Sequence, residues 1–135
     1  MLADTGAVYA LLDRDDAWHQ RVRDWWEGTA ENVRVPVVVL PELAYLLSRR
    51  IGPPAELAFV EAVAADEFTT EPLLDDDIAR AAELMAAYAD TPLGFVDSAV
   101  AATAERLDIV RLLTTDRRHF GLIRPRHAPA FRLLP

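Results

Sequence analysis

Four acidic residues stand beside apolar runs at four separate places in the chain. They are Asp4 after Met1-Leu2-Ala3, Glu42 after Val37-Val38-Val39-Leu40-Pro41, Asp97 in Gly94-Phe95-Val96-Asp97-Ser98, and Asp116 in Leu112-Leu113-Thr114-Thr115-Asp116. Carboxylates so dispersed meet only if folding gathers them. A gathered set makes an oxygen-rich pocket suited to Mg²⁺ or Mn²⁺, because hard cations take oxygen ligands. Taken singly, each acid has a stronger ordinary account: an Asp or Glu in an opening helical turn caps it or complements its dipole, and Asp116 before Arg117 fits a turn.

The elements that must position these acids follow from periodicity. A very short strand ends at Asp4, and a helix over Gly6 to Leu12 carries Ala7, Val8, Leu11 and Leu12 on one side. Asp15 or Asp16 is placed to cap a second helix, in which Trp18, Val22, Trp25 and Trp26 recur at helical spacing. Val33 to Leu40 is a β-branched strand interrupted or ended by Pro36, and Pro41 suits the first turn of a helix to about Arg50, closed by Gly52 and Pro53-Pro54. A helix over about Ala55 to Ala65, a short strand over Glu67 to Glu71 and a helix from Asp75-Asp76-Asp77 to Tyr88 come next. Gly94 precedes a helix to Leu107, Ile109 to Thr114 reads as a strand, and Ala130 to Leu134 as another. Alternating strands and helices predict an α/β fold with a mostly parallel sheet covered by helices. In such sheets ligands sit at the carboxyl ends of strands, where Asp4 and Asp116 fall, while Glu42 and Asp97 lie in first helical turns that can face the same crevice.

Composition narrows the chemistry. The chain has 135 residues, 52% hydrophobic and 27% charged, with no linker or low-complexity tract, so one domain over residues 1–135 is expected. Cysteine is absent, which excludes disulfides, thiolate metal sites and a Cys nucleophile. All fourteen basic residues are arginine, so a Walker lysine and Schiff-base chemistry are also excluded. The opening Met1-Leu2-Ala3-Asp4 has no signal-peptide character and no apolar run is long enough to span a bilayer, which points to the cytoplasm. The net charge of -8 hides a basic end: Arg111, Arg117, Arg118, Arg124, Arg126 and Arg132 are accompanied there by Asp116 alone. That distribution permits nucleic-acid binding where net charge argues against it.

Together and in this order, Asp4-Thr5, Pro41-Glu42-Leu43, Gly94-Phe95-Val96-Asp97-Ser98-Ala99 and Leu113-Thr114-Thr115-Asp116-Arg117-Arg118-His119-Phe120 resemble the PIN-domain ribonucleases. Within them the match is to the VapC-type toxins of bacterial toxin–antitoxin pairs. The resemblance implies a PIN-like three-layer α/β/α fold and a Mg²⁺-dependent endoribonuclease, with Mn²⁺ as substitute, whose acidic cluster is Asp4, Glu42, Asp97 and Asp116. Phosphodiester hydrolysis in that family leaves a 5′-phosphate and a 3′-hydroxyl. It further implies an RNA substrate, a homodimer, and a small antitoxin protein occupying the crevice. Some relatives carry another acid or Asn just after the last aspartate; Arg117, Arg118 and His119 stand here instead, which argues against a filled second metal position.

Residues around the acids complete the expectation. Thr5, Ser98 and Thr115 are placed to orient a carboxylate or a water, or equally to bond local backbone. Arg117 and Arg118 are the best candidates for RNA phosphates, since arginine forks match phosphate oxygens, with Arg124, Arg126 and His127 behind them. His19, His119 and His127 lack paired ligand spacing and read as surface or packing residues. Asp90, before Thr91-Pro92, reads as a turn former rather than a rim ligand. The Trp18, Trp25 and Trp26 stripe reads as a buried face first and a partner groove second. A phosphatase of the haloacid-dehalogenase type needs a second Asp where Gly6 stands and a lysine. A PIN-like module that binds RNA or a partner without cutting is the alternative, against which the four intact acids argue.

Overall fold

The computed structural model describes residues 1–135. Five short strands, β1 (Leu2–Ala3), β2 (Arg34–Pro36), β3 (Thr69–Glu71), β4 (Arg111–Leu113) and β5 (Arg132–Leu134), form one sheet in the order β3-β2-β1-β4-β5. Every neighbouring pair is parallel, with Leu2 opposite both Arg34 and Leu112. Parallel neighbours need crossovers, and seven helices supply them: α1 (Thr5–Leu12), α2 (His19–Gly28), α3 (Val39–Arg50), α4 (Pro53–Ala64), α5 (Asp75–Ala87), α6 (Phe95–Arg106) and α7 (Arg117–Leu122). The helices fall into two packing groups, α1 with α2 and α3 with α4 in one, α5 with α6 and α7 in the other. The expected three-layer α/β/α arrangement is therefore present, with the sheet wholly parallel.

The central strands are buried on both faces, as such a sandwiched sheet requires. Leu2, Ala3, Val35, Leu112 and Leu113 are all in the core, joined by Val8 of α1, Leu43 of α3 and Val100 of α6. The tryptophan stripe of α2 packs partly buried against this core, while Trp26 meets Phe68 edge to face at 6.1 Å, so its first reading as a packing face holds.

Several boundaries differ from expectation for local reasons. The β-branched run of Val33 to Leu40 stops pairing at Pro36, and α3 already begins at Val39, so Pro41 lies inside the first turn, where its missing N–H has no intrahelical partner to lose. Pro53 and Pro54 open α4 instead of only closing α3. Helix α2 starts at His19 without a side-chain cap; Asp16 accepts from the Trp18 N–H at 2.8 Å in the preceding turn. Helix α7 was not expected at all, because Arg117 to Leu122 is too short for an apolar period to register.

Most of the acids outside the four are answered by arginine wherever they are buried. Asp77, only 2% exposed, accepts from Arg106 Nε at 2.9 Å and from the Leu74 N–H at 3.0 Å, and Glu71 accepts from both Arg34 and Arg106. Arg80 grips Glu105 at 2.7 Å, and Arg126 reaches Glu83 at 2.5 Å. These pairs tie α5, α6, β2 and β3 together and engage Arg126; Arg124 is held by the carbonyls ending α7. The weaker phosphate candidates are thus internally committed. Breaking a buried pair strands its partner, so Asp77→Ala is expected to destabilise the fold by about 3 kcal/mol, read as a lower denaturation midpoint at unchanged slope.

Candidate metal centre

Strands β1 and β4 lie side by side, so whatever follows them meets at one end of the sheet. Asp4 follows β1 directly and caps α1, its Oδ1 accepting the Ala7 N–H at 2.7 Å. Thr114 follows β4 and donates its hydroxyl to Asp4 Oδ2 at 2.5 Å, while its own Oγ1 accepts the Asp116 N–H at 2.9 Å. One wholly buried threonine therefore fixes two acids that are 112 residues apart in sequence. Sequence offered Thr115 for such a role, or equally for bonding local backbone. The hydroxyl that performs it belongs to its neighbour, and Thr115 instead packs so close to Gly6 that a Cβ there would lie 2.4 Å from Thr115 Oγ1. Gly6, which had counted only against a phosphatase, is thus the residue that lets the β4–α7 turn settle onto α1.

Asp116 caps α7: Oδ1 accepts the His119 N–H at 2.9 Å and Oδ2 lies 2.6 Å from His119 Nδ1. Asp97 arrives from the first turn of α6, and its Oδ2 lies 3.9 Å from the same nitrogen. Ligating atoms of Asp97, Asp116 and His119 all fall within 4.8 Å of one another. His119, read from sequence as a surface or packing residue, thus stands beside two of the four acids. That reading holds for His19 and His127, whose rings contact the carbonyls of Ala10 and Ile109 at 2.8 and 3.0 Å. Glu42, exposed at the start of α3, accepts the Thr5 hydroxyl at 2.6 Å, and its charge is felt by Asp97. Ser98 is buried with no partner for its hydroxyl, and Asp90 is exposed in a turn.

The electrostatics separate these acids from the ion pairs elsewhere. No arginine pairs with any of the four. Burial pushes the Asp4 carboxyl up to about 7 against the lowering effect of its hydrogen bonds, and the charges of Asp97 and Asp116 push the same way. Burial also raises Asp97 to about 6, aided by Asp116 and Glu42 and opposed only by His119; no hydrogen-bond donor serves it. Burial acts upward on Asp116 too, but the hydrogen bonds from His119 outweigh it and hold that carboxyl below its usual range. Oxygen donors gathered with one histidine and no arginine beside them are a donor set a hard divalent cation satisfies; Asp97 and Asp116 form the compact part with His119, while Asp4 is joined to Asp116 through Thr114 and Glu42 is held by Thr5.

Because Asp4 and Asp97 sit above their unfolded values, these two carboxyls bind more protons in the folded state than in the unfolded one between about pH 4 and pH 7. Their contribution to the stability of the metal-free protein is accordingly lost as pH rises through that window. Asp97→Asn should raise the metal-free melting temperature at pH 8 by a few degrees, flatten the fall between pH 5 and pH 8, and shrink the Mn²⁺-induced shift. A carboxylate serving only the dipole of α6 would give a lower melting temperature and an intact Mn²⁺ shift.

Comparison with known proteins bears on the fold and the family. A family model described as PIN domain matches residues 1–124. Ribonuclease VapC26 of Mycobacterium tuberculosis is 32% identical over 135 residues, covering the whole of both chains. Among solved structures, Mycobacterium tuberculosis VapC20, described as a sarcin-ricin-loop-cleaving toxin, superposes with a TM-score of 0.79 at 24% identity over 90% of this chain and 95% of that one. The DNA-bound VapBC of Salmonella typhimurium gives 0.73 at 19% identity, over 98% and 94% of the two chains. At those identities the structural likenesses speak for the fold alone, whereas the family match and the full-length relative show that this chain belongs to the PIN-domain family.

Proposed function

We propose that this chain is a Mg²⁺-dependent endoribonuclease toxin of the VapC type, with Mn²⁺ able to substitute, acting in the cytoplasm and held inactive by a cognate small antitoxin. The observation that carries the reading is the contrast in how acids are treated. Buried Glu71 and Asp77 are matched with arginine, whereas Asp4 and Asp97 are left facing other carboxylates. A fold that can pair buried acids, yet leaves one set unpaired at the carboxyl end of its sheet, is arranged for a cation supplied from outside. The relatives support the rest: VapC26 is named a ribonuclease, VapC20 a toxin that cleaves the sarcin-ricin loop, and solved neighbours include a VapBC complex and a toxin–antitoxin complex from Klebsiella pneumoniae.

Asp97 and Asp116 would hold the ion, with Asp4 and Glu42 completing the acidic wall. When bound, a divalent cation here polarises a phosphoryl oxygen and makes water a competent nucleophile for in-line attack that expels the 3′-oxygen. Thr114 and Thr5 keep Asp4 and Glu42 in place through their hydroxyls. The two candidate phosphate arginines divide. Arg117 donates to the Pro135 carbonyl and lies 5.6 Å over the Trp18 ring, while Arg118 is exposed with its guanidinium free of internal partners. Arg118 is therefore the better phosphate contact. For the antitoxin, an apolar groove between α3 and α4, lined by Leu47, Ile51, Ala55, Phe59 and Phe68, suits an inserted apolar side chain.

Cleavage of RNA by the pure chain should require Mg²⁺ or Mn²⁺ and vanish with EDTA. Asp4→Ala, Glu42→Ala, Asp97→Ala and Asp116→Ala should each lower it more than about tenfold while the domain stays folded, and Thr114→Val should do so through misplaced carboxylates. An unchanged rate removes that residue from the site, and EDTA-resistant binding without cleavage would support a non-cutting module. Arg118→Ala should weaken RNA binding across sequences and reduce the salt slope by about one, whereas Arg117→Ala should act mainly on stability. Equal slopes for wild type and Arg118→Ala would place the RNA elsewhere.

A further inference from the structure

His119 is brought to the acids by the cap that starts α7. With Asp116 as the capping residue, the side chain three positions on turns back over it, and Nδ1 comes to rest 2.6 Å from Asp116 Oδ2. The same nitrogen is 3.9 Å from Asp97 Oδ2, on a different helix. It is the histidine nitrogen directed at carboxylates, since His19 and His127 meet backbone carbonyls. Proximity points the same way: one ligating atom from each of Asp97, Asp116 and His119 lies within 4.8 Å of the other two.

We propose that His119 is a nitrogen ligand of the cation site, sharing the ion with Asp97 and Asp116 through Nδ1, and that it biases the site toward Mn²⁺ and later first-row ions over Mg²⁺. The inference rests on the metal-dependent reading given under Proposed function. Its physical basis is the difference between donors: Mg²⁺ keeps oxygen and water around it, whereas imidazole nitrogen favours the transition ions. The competing role is a positioning one, in which Nδ1–H only orients the Asp116 carboxylate. That role touches no ion and confers no preference among ions.

The two roles separate on the Mn²⁺-loaded full chain. Electron spin-echo spectra of bound Mn²⁺ should show modulation from a directly coordinated ¹⁴N nucleus, changing to the ¹⁵N pattern when histidine is ¹⁵N-labelled and disappearing in His119→Gln. By calorimetry, His119→Gln should weaken Mn²⁺ binding by at least about tenfold while Mg²⁺ binding changes far less. Bound Mn²⁺ without nitrogen modulation, modulation that persists in His119→Gln, or equal weakening for both ions would overturn the assignment while leaving the metal site intact. Failure of the wild-type chain to bind Mn²⁺ at all would overturn the metal reading and, with it, the role of His119. The wild-type spectrum needs no variant, so poor folding of His119→Gln would not shield the proposal.

Discussion

The Thr114 hydroxyl is the contact on which the arrangement of the site depends. It donates a hydrogen bond to Asp4 and accepts one from the Asp116 N–H, joining the end of the first strand to the turn after the fourth. A buried carboxylate without such donors costs far more than a surface one, and Asp4 tolerates its position only because this hydroxyl and the Ala7 N–H serve its two oxygens. The parallel adjacency of β1 and β4 sets the distance, the threonine sets the angle, and Gly6 removes the Cβ that would hold the turn away.

Around that fixed point the protein treats charge in two ways. One end of α5 and α6 is knitted by arginine into closed pairs, which give register between elements and no chemistry. The other region gathers acids and withholds arginine from them. Such an arrangement stores repulsion in the folded state, which is tolerable because Asp4 and Asp97 can take up protons and because a cation relieves the same repulsion more completely.

Much of this was legible in the chain. The four acids, their neighbours and their order identified the family, and the alternation of strand and helix gave the sheet because amphipathic segments such as α3 and α5 carry strong periods. What escaped did so for identifiable reasons. Two adjacent threonines at a strand's end point to opposite sides, so a shift of one residue in where β4 stops decides which of them faces Asp4, and strand ends are not fixed by pattern. The approach of His119 to the acids was not legible because its neighbours are two aspartates, one three residues back and one on another helix, rather than a second histidine. The only available hint was the Asp-x-x-His interval, which marks a capped turn as readily as a site. Arg117 and Arg118 looked equivalent because Trp18 and Pro135, which engage only the first, are remote in sequence.

The use of Asp4 and Asp116 as helix caps has a further consequence. Each of these carboxylates closes the first turn of a helix while facing the crevice, so occupancy of the crevice and fraying of α1 and α7 draw on the same oxygens. The amide protons of Ala7 and His119 are therefore built-in reporters: their exchange with solvent measures how firmly each carboxylate is held. A molecule entering the crevice is registered in the backbone at two helix starts that come from opposite ends of the chain.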